Sequence, residues 1–472
     1  MFHDSFRSTL LLTLLTIYCV QVRAASSYIN DFVDPKFIAA KQFDIRTNWA
    51  GITILRWATE FSKKGPWSVT NSTVIPPSGD RHDYMSWMSN AWPNCTAVNN
   101  ATLTEDNRWK LCPYVHRNEV NPDTVKVNAA SKYAFNQLAD AVLYNSIASV
   151  IARVNNDMHA RNAVSHLQTW FLDPERRMNP NLNYAQMKRG PKGQLGHYGG
   201  IMELRAFVKI ASGISILRES RNSIYTPVID QGMIEWCNQY LRWLRTSVQG
   251  VRESSSLNYH STFYSAQLAA LKLIVNDRQG AINTIDTFFH DKFMAQIDST
   301  GEQPLEQNIP QAQRHRTSNL AALVSLVRMA KYANPLSGSY WNVTTSQGGT
   351  IQSALDFAMI QAANLNNITD RSGDIRHLEP LVAAVASTFG DPDKKYETFL
   401  SQADPTYARK PYFFWNQPLS GGPSEDHDRM NGTGRPRALN GSSRLIGIGQ
   451  GALVLVGLSS VLLVAMELVL ST

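Results

Sequence analysis

Cysteine and metal-binding motifs are scarce in this chain. Only four of the 472 residues are cysteine, and one of them, Cys19, lies in an apolar run near the N-terminus. No CxxC pair and no cluster of His and Cys with the spacing of a zinc site is present. No carboxylate cluster with metal-ligand spacing stands out either. We therefore expect a protein that works without a metal or another cofactor.

Strand-like alternation of apolar and polar residues is also scarce, which argues against a sheet protein. From Ala129 onward, apolar residues recur instead at intervals of three and four, as in Leu138, Val142 and Leu143. This period predicts amphipathic helices. Further helical segments are predicted at about 280 to 293, 319 to 333, 351 to 365 and 376 to 389.

The first part of the chain has a different composition. Between Asp31 and Lys126 the sequence is rich in Pro, Asn, Trp and Ser once a helical stretch near residues 35–61 has ended. We expect long, aromatic-rich loops here. The helices downstream predict an all-α protein of antiparallel helical hairpins, packed as a bundle, a solenoid or a toroid. Periodicity alone does not distinguish these three architectures.

The N-terminal residues have the layout of a secretory signal peptide. Arg7 is followed by an apolar run from Leu10 to Val20 and by the small residue Ala24. We expect residues 1–24 to be removed, so that the mature chain begins near Ala25.

The C-terminal residues form a second apolar run. Residues 445–470 contain a single acid, Glu467, and follow the small residues 440–443. This order predicts a GPI-attachment signal over residues 444–472. The preceding residues 418–443 predict a disordered stalk. A retained membrane span is the alternative, because about 20 apolar residues suffice to cross a bilayer. In both cases a single helical domain, residues 25–417, faces the outside.

Two further features fit passage through the secretory pathway. An oxidising compartment favours a disulfide between Cys95 and Cys112, which leaves Cys237 as a buried free thiol. Sequons for N-glycosylation are also numerous. They occur at Asn71, Asn94, Asn100, Asn342, Asn367, Asn431 and Asn440.

The net charge narrows the range of partners. A formal charge of +7 favours anionic ligands. The expected extracellular location disfavours nucleic acid, and the lipid anchor would make the membrane a partner.

Several strings of residues carry a family resemblance. PSGDRHDYMS, AWPN and PYVHRNEVNP come first, and WFLDPERRMNPNLNYAQ at 170–186 is the most specific. HYGGIMELRAF at 197–207, LNYHSTFYSAQ at 257–267 and GEQPLE at 301–306 follow. Together they resemble, in the same order, the motifs of the alginate lyase family of polysaccharide lyases. The resemblance implies an incomplete (α/α) toroid with a substrate groove, and cleavage of uronate-containing polysaccharides by β-elimination.

Such a reaction removes the C5 proton next to a uronate carboxylate and expels the oxygen at C4. The carboxylate must be neutralised, and a base and an acid must be supplied. His260 stands at the catalytic histidine of the family string, so we expect it to act as base or neutraliser. His315 stands where the family usually has a tyrosine that carries protons, and a histidine can do the same near neutral pH.

The remaining site predictions concern amides, cations and aromatic rings. Asn183 is predicted to be a catalytic amide. Asn258 matches an asparagine of the family string, whereas Tyr259 replaces the next asparagine and removes an amide donor. The other predicted substrate-binding residues are Asn181, Gln186, Arg205, Arg314 and Arg316, together with Tyr84 and Trp87, whose rings are predicted to stack on sugars.

Two other functions remain open at this stage. A polysaccharide-binding protein on the same scaffold is favoured by the departures from the family motif at Tyr259 and His315. Hydrolysis would need paired carboxylates, for which Glu203, Glu302 and Glu306 are candidates.

Overall fold

The computed structural model of the protein describes residues 28–419, except for residue 30 and the stretches 309–310, 337–338 and 366–373. The predicted signal peptide, nearly all of the predicted stalk, the predicted GPI signal and the sequons at Asn367, Asn431 and Asn440 lie outside the described residues. In the described part, no helix combines the length and apolar character needed to cross a bilayer.

Most of the described chain is helical. The α-helices are Pro35–Ala40 (α1), Asn48–Ser62 (α2), Arg108–Leu111 (α3), Asp123–Asn128 (α4), Ala134–Ile151 (α5), Asn156–Leu167 (α6), Phe207–Glu219 (α7), Pro227–Thr246 (α8), Val248–Ser254 (α9), Tyr259–Ile274 (α10), Arg278–His290 (α11), Pro304–Gln307 (α12), Ala312–Ala333 (α13), Ile351–Leu365 (α14), Asp374–Phe389 (α15), Lys395–Ala403 (α16) and Pro411–Trp415 (α17). Short 3₁₀ helices cover Ile45–Thr47, Val69–Asn71, Asn100–Thr102, Tyr198–Leu204, Lys292–Ala295, Tyr340–Asn342 and Tyr407–Arg409. Residues Ala129–Tyr133 and Gln168–Leu172 are π-helical.

The helix packing identifies the architecture as an (α/α) toroid. Helices α2, α5, α7, α10, α13 and α15 each pack against the next, and α17 joins α15 back to α2. Helices α6, α8, α11, α14 and α16 pack on the outside of this inner series. Inner and outer helices therefore alternate as antiparallel hairpins, which decides among the three architectures that periodicity left open.

The segment that follows the predicted leader is buried among the inner helices. Phe32 and Val33 have no exposed surface, and the Val33 amide donates to Ser212 Oγ of α7 at 3.0 Å. Asp31 accepts from Arg328 of α13 at 2.5 Å and from the Trp415 indole of α17 at 3.0 Å. These bonds tie the start of the described chain to three helices that are distant in sequence.

The loops between α2 and α5, together with the segment before α7, carry four short strands. Met85–Trp87 (β1) pairs in parallel with Tyr184–Met187 (β4), and Ala91–Pro93 (β2) pairs antiparallel with Tyr114–His116 (β3). A disulfide joins Cys95 to Cys112, as the sequence predicts, and Cys237 is a buried free thiol. This layer forms one wall of the cavity described next.

Candidate active site

A cavity of about 360 Å³ lies between the strand layer and the start of α10. The strand layer contributes Met88 and Asn90 after β1, His116 of β3 and Gln186 of β4. The opposite side is formed by residues 197–199 and by the segment leading into α10. The lining residues are Met88, Asn90, His116, Gln186, His197, Tyr198, Gly199, Ser256, Asn258 and His260.

His260 is held in the cavity wall by a buried carboxylate. Its Nδ1 lies 2.6 Å from Oε1 of Glu253, whose side chain is completely buried at the end of α9. Asn258 is the N-cap of α10, and its side chain accepts from the His260 amide at 3.2 Å. When Glu253 accepts a hydrogen bond from Nδ1–H, Nε2 is the nitrogen left for a substrate.

A second buried carboxylate fixes the start of the same helix. Glu306 of α12 accepts from the Tyr259 amide at 2.6 Å. Burial raises the pKa of Glu306 to about 7, although the Tyr259 amide, His260 and Arg316 oppose that rise. The partial positive charge of the helix N-terminus offsets part of the cost of burying this carboxylate. Glu306 therefore orients the segment that carries Tyr259 and His260.

Gln186 reaches the cavity from a strained backbone. Its φ of 46° lies in the left-handed region, which residues other than glycine rarely adopt. The Gln186 amide donates to Ser86 Oγ at 2.7 Å, and Ser86 Oγ in turn donates to Glu203 Oε2 at 2.5 Å. Tyr84 also donates to Glu203, at 2.9 Å. This network holds β4 in the position that presents Gln186.

The backbone of residues 197–200, on the opposite side of the cavity, packs closely against β4. A Cβ on Gly200 would lie 2.7 Å from the Ala185 carbonyl oxygen, so this position requires glycine. A Cβ on Gly199 would lie within 3.6 Å of His197, Gln186 and His260. Gly199 thus leaves open the space that these three side chains surround.

Two further rings and a guanidinium stand beside His260. The His197 and Tyr198 rings are 3.9 Å apart, and the Arg252 guanidinium lies 4.3 Å from the Tyr198 ring. Burial lowers the pKa of His197, and the nearby Arg252 and His260 lower it further. His197 is therefore a neutral hydrogen-bonding group at neutral pH.

Tyr259 and His315 form a second group next to the cavity. The Tyr259 ring lies 4.5 Å from the His260 ring and 4.7 Å from the His315 ring. Burial raises the pKa of the Tyr259 phenol to about 12, with Glu306 adding to the effect, whereas Arg205 and Arg314 lower it. The structure therefore brings the rings of His260, Tyr259 and His315 together.

Tyr84 and Trp87 do not have the predicted role of sugar-stacking platforms. Tyr84 has no exposed surface and donates to Glu203. Trp87 is also buried. The Arg189 guanidinium lies 3.9 Å from its ring, and Trp109 belongs to the same hydrophobic cluster. Neither ring has a free face for a sugar, so this prediction was wrong.

Three polar residues predicted to meet the substrate have structural partners instead. The Asn181 side chain donates to Asp83 at 3.2 Å, and the side-chain oxygen of Asn183 accepts from the Trp243 indole at 2.9 Å. Neither asparagine lines the cavity. Arg316 forms two bonds of 2.6 Å with Glu302 and is buried, so a substrate carboxylate would have to displace that acid.

The carboxylates considered for hydrolysis do not form a facing pair in the cavity. Glu203 is buried under Tyr84 and Ser86, and burial raises its pKa. Glu302 is neutralised by Arg316, and Glu306 caps α10. A glycosidase of this kind needs two carboxyl groups on opposite sides of the bond that it cleaves. This arrangement does not favour hydrolysis.

The described residues include no group of three or more His, Cys, Asp or Glu side chains that would hold a metal ion. His116, His197, Arg252 and Glu253 are the site residues that sequence reasoning did not single out. His116 and His197 lie in motifs already noted, but only the fold places them in one cavity. Glu253 belongs to none of the motifs noted in the sequence. The sequence feature that could have indicated it is its position seven residues before His260.

The toroid and a cavity with a His–Glu pair and amides fit an enzyme that acts on an anionic polysaccharide. Residues 68–368, more than half of the chain, match the model of the alginate lyase family. The chain therefore belongs to this family and is a polysaccharide lyase. An alginate lyase from Bacteroides ovatus is 25% identical in sequence, with a TM-score of 0.68 over 83% of this chain and 99% of that chain.

Two structures of alginate lyase A1-III are more distant. One, complexed with a tetrasaccharide, is 13% identical, with a TM-score of 0.47 over 86% of this chain and 100% of that chain. The other, from Sphingomonas species A1, is 14% identical, with a TM-score of 0.40 over 78% of this chain and 91% of that chain. The comparison with curated protein sequences gives no match.

Proposed function

We propose that this lyase cleaves a polymer of uronic acids, such as alginate or a glucuronan, by β-elimination in the cavity at His260. The observation that carries this proposal is the pairing of His260 Nδ1 with the buried Glu253 at 2.6 Å beside an open cavity. That pairing directs the other imidazole nitrogen to the substrate. The amides of Gln186 and Asn258 line the same cavity and are suited to hold the uronate carboxylate.

The electron flow follows from these positions. His260 Nε2 takes the C5 proton, and the electron pair of the broken C5–H bond forms the C4=C5 double bond. The C4–O4 bond breaks with its electron pair on oxygen, which takes a proton from His315. Glu253 stabilises the imidazolium that forms on His260.

The experiment follows the ultraviolet absorbance of the unsaturated product while the secreted protein is incubated with a panel of polyuronates. We expect absorbance to rise with at least one polymer, and to be lost in His260→Ala, by a factor on the order of 10²–10⁴. A hydrolase would release new chain ends without this chromophore. If polymers bind but no absorbance develops, the alternative of a binding protein that has lost the chemistry replaces this proposal.

We also propose that the enzyme acts outside the cell, held at the plasma membrane by a GPI anchor. The apolar run at 445–470 and the seven sequons support this location. Asn71, Asn94 and Asn342 are exposed, as glycan acceptors must be. Release of the protein from intact cells by a phosphatidylinositol-specific phospholipase would support the anchor. Retention after that treatment would favour the membrane span.

A further inference from the structure

The outward face of α2 carries large apolar side chains where a surface helix normally carries polar ones. Ala50, Ile54 and Trp57 lie on the buried face of this helix. Trp49 and Ile52, on the opposite face, keep 60% and 53% of their surface exposed. An amphipathic helix of a globular domain usually places charged or polar residues at such positions. The packing of α2 into the toroid therefore does not account for Trp49 and Ile52.

Ile45 extends this apolar face by one turn. It lies in the 3₁₀ helix Ile45–Thr47, which runs directly into α2 at Asn48, and it is 74% exposed. Spacings of four and three residues place Ile45, Trp49 and Ile52 on one side of this helical segment. Single exposed apolar residues are common on protein surfaces, but a contiguous apolar patch indicates a binding surface. We refer to these three side chains as the α2 face.

The charges around the α2 face nearly cancel, except for one guanidinium. The Arg409 guanidinium lies 5.3 Å from the Trp49 ring, and its side chain is exposed. Arg46 and Arg56 are exposed on the same segment, but ion pairs with nearby acids at 2.7 and 3.7 Å neutralise them. Proteins place tryptophan at the headgroup level of a bilayer, and a guanidinium there donates to phosphate. The composition of the α2 face therefore fits a lipid surface with little net charge.

The α2 face lies beside the last described part of the chain. The Phe414 ring of α17 packs on Gly51 of α2, where a Cβ would lie 3.2 Å from the ring. Leu419 follows four residues after the end of α17, and only residues 420–444 separate it from the apolar run at 445–470. A segment of this length spans at most about 90 Å. A membrane anchor at or near that run therefore holds the α2 face close to lipid, at a high effective concentration.

We propose that the α2 face docks on the outer surface of the membrane, with Trp49 and the two isoleucines in the headgroup region and Arg409 bonded to a lipid phosphate. This inference rests on the proposed anchor and extends it from a tether to a contact that orients the domain. Helix α10, which carries His260, packs against α7, α11 and α13, whereas α2 packs mainly against α5 and α17. Docking therefore orients the domain without altering the cavity at His260.

The test uses the full-length protein, extracted with its anchor and reconstituted in phosphatidylcholine vesicles whose acyl chains are either brominated or unmodified. Bromine on the acyl chains quenches only those tryptophans that enter the bilayer. We expect brominated lipid to lower the fluorescence by about the share of one tryptophan among the 11 in the chain, and Trp49→Phe to abolish this decrease. Absent quenching, or quenching that persists in Trp49→Phe, rejects the α2 face as the docking surface.

The affinity for lipid is measured separately, on protein released from its anchor by the phospholipase. We expect Ile52→Ser to lower the partition coefficient on phosphatidylcholine vesicles about tenfold. Ile360→Ser is the matched control, since Ile360 is 60% exposed on α14 and lies outside the α2 face, and it should keep the wild-type coefficient. Both replacements are on the surface, so thermal midpoints should not change. Equal losses of affinity in the two variants would contradict the proposal.

The remaining outcomes separate the docking from the anchor. A protein that the phospholipase does not release contradicts the GPI anchor and not the docking, which the quenching experiment still decides. Dimers that form with rising concentration and dissociate in Ile52→Ser, in the absence of quenching, would identify a second copy of the chain as the occupant of the α2 face and overturn the proposal.

Discussion

Glu253 and His260 are joined by a 2.6 Å contact across the turn between α9 and α10. Glu253 is completely buried, and its second carboxylate oxygen has no hydrogen-bond partner. A buried carboxylate with one free oxygen gains most of its stabilisation from the single imidazole that it meets. The pair therefore fixes both the ring orientation and the tautomer of His260.

Replacement of Glu253 should lower the rate of elimination with little effect on substrate binding. In Glu253→Gln the amide can still accept from Nδ1, but it cannot stabilise the imidazolium by charge. We expect kcat to fall by roughly 100-fold and KM to change less than about threefold. The absorbance assay on the best polyuronate measures both values.

The control for this variant is Glu235→Gln, on the exposed face of α8, which should match the wild type. A KM effect larger than the kcat effect in Glu253→Gln would mean that Glu253 shapes the binding site. A fall in thermal midpoint that accounts for the lost activity would mean that it only supports the fold.

The proton-donor role of His315 predicts a difference between two similar aromatic replacements. His315→Tyr supplies a phenol that can donate a proton, as the tyrosine usual in the family does, whereas His315→Phe supplies none. We expect His315→Tyr to retain at least about tenfold more kcat than His315→Phe. Both rings can still pack against Tyr259.

Tyr198→Phe tests the competing phenol in the cavity. If its kcat falls more than that of His315→Phe, the proton comes from Tyr198 and the assignment of His315 is wrong. Equal activity of His315→Tyr and His315→Phe would also contradict the assignment.

The helices were predictable because each buries one stripe against neighbours that are also helices. Segments predicted at about 351 to 365 and 376 to 389 correspond to Ile351–Leu365 and Asp374–Phe389. The helix predicted from 319 begins earlier, at Ala312. Its first turns carry polar residues of the site, so the apolar periodicity of the helix is not visible there in the sequence. The stretch near 35–61 is two α-helices, with Lys41 at a φ of 56° ending the first.

The site residues were predictable only where they belong to one of the contiguous sequence motifs that resemble the family. His260, Asn258 and Gln186 lie in such strings and do line one cavity. Tyr84 lies in a polar loop, which favours exposure, but Glu203, 119 positions away in sequence, draws its hydroxyl into the interior. Contacts of this range depend on the packing of the whole toroid, and local composition does not report them.

The raised pKa of Glu306 predicts a stability that decreases with rising pH. Its carboxyl has a pKa of about 7 in the folded protein and an ordinary value of 4.5. The folded state therefore binds the proton more tightly, and its stability relative to the unfolded state is lost as pH rises from about 4.5 to about 7. The loss attributable to this group is on the order of 3 kcal/mol.

Glu306→Gln should remove that contribution, since glutamine stays neutral and can still accept from the Tyr259 amide. The variant should gain stability over the wild type at about pH 8 and little at about pH 5, as measured by thermal denaturation. Glu235→Gln should show no such pH dependence. A Glu306→Gln protein with the same stability difference at both pH values would contradict the assigned titration.

The buried ion pair of Lys209 and Asp140 predicts that replacing one partner lowers the free energy of unfolding more than replacing both. Their ion pair of 2.7 Å is almost completely buried, and Lys209 also donates to the Tyr28 carbonyl at 2.6 Å. Lys209→Met leaves the Asp140 charge buried without its partner, which should cost about 3–5 kcal/mol. Adding Asp140→Leu removes that charge, so the double variant should be more stable than Lys209→Met.

Arg161→Met, which breaks the exposed pair with Asp157, should change stability by less than about 1 kcal/mol. Denaturant unfolding of the four proteins measures these differences, and a double variant no more stable than Lys209→Met would mean that the bond to Tyr28, and not the ion pair, anchors the N-terminal segment.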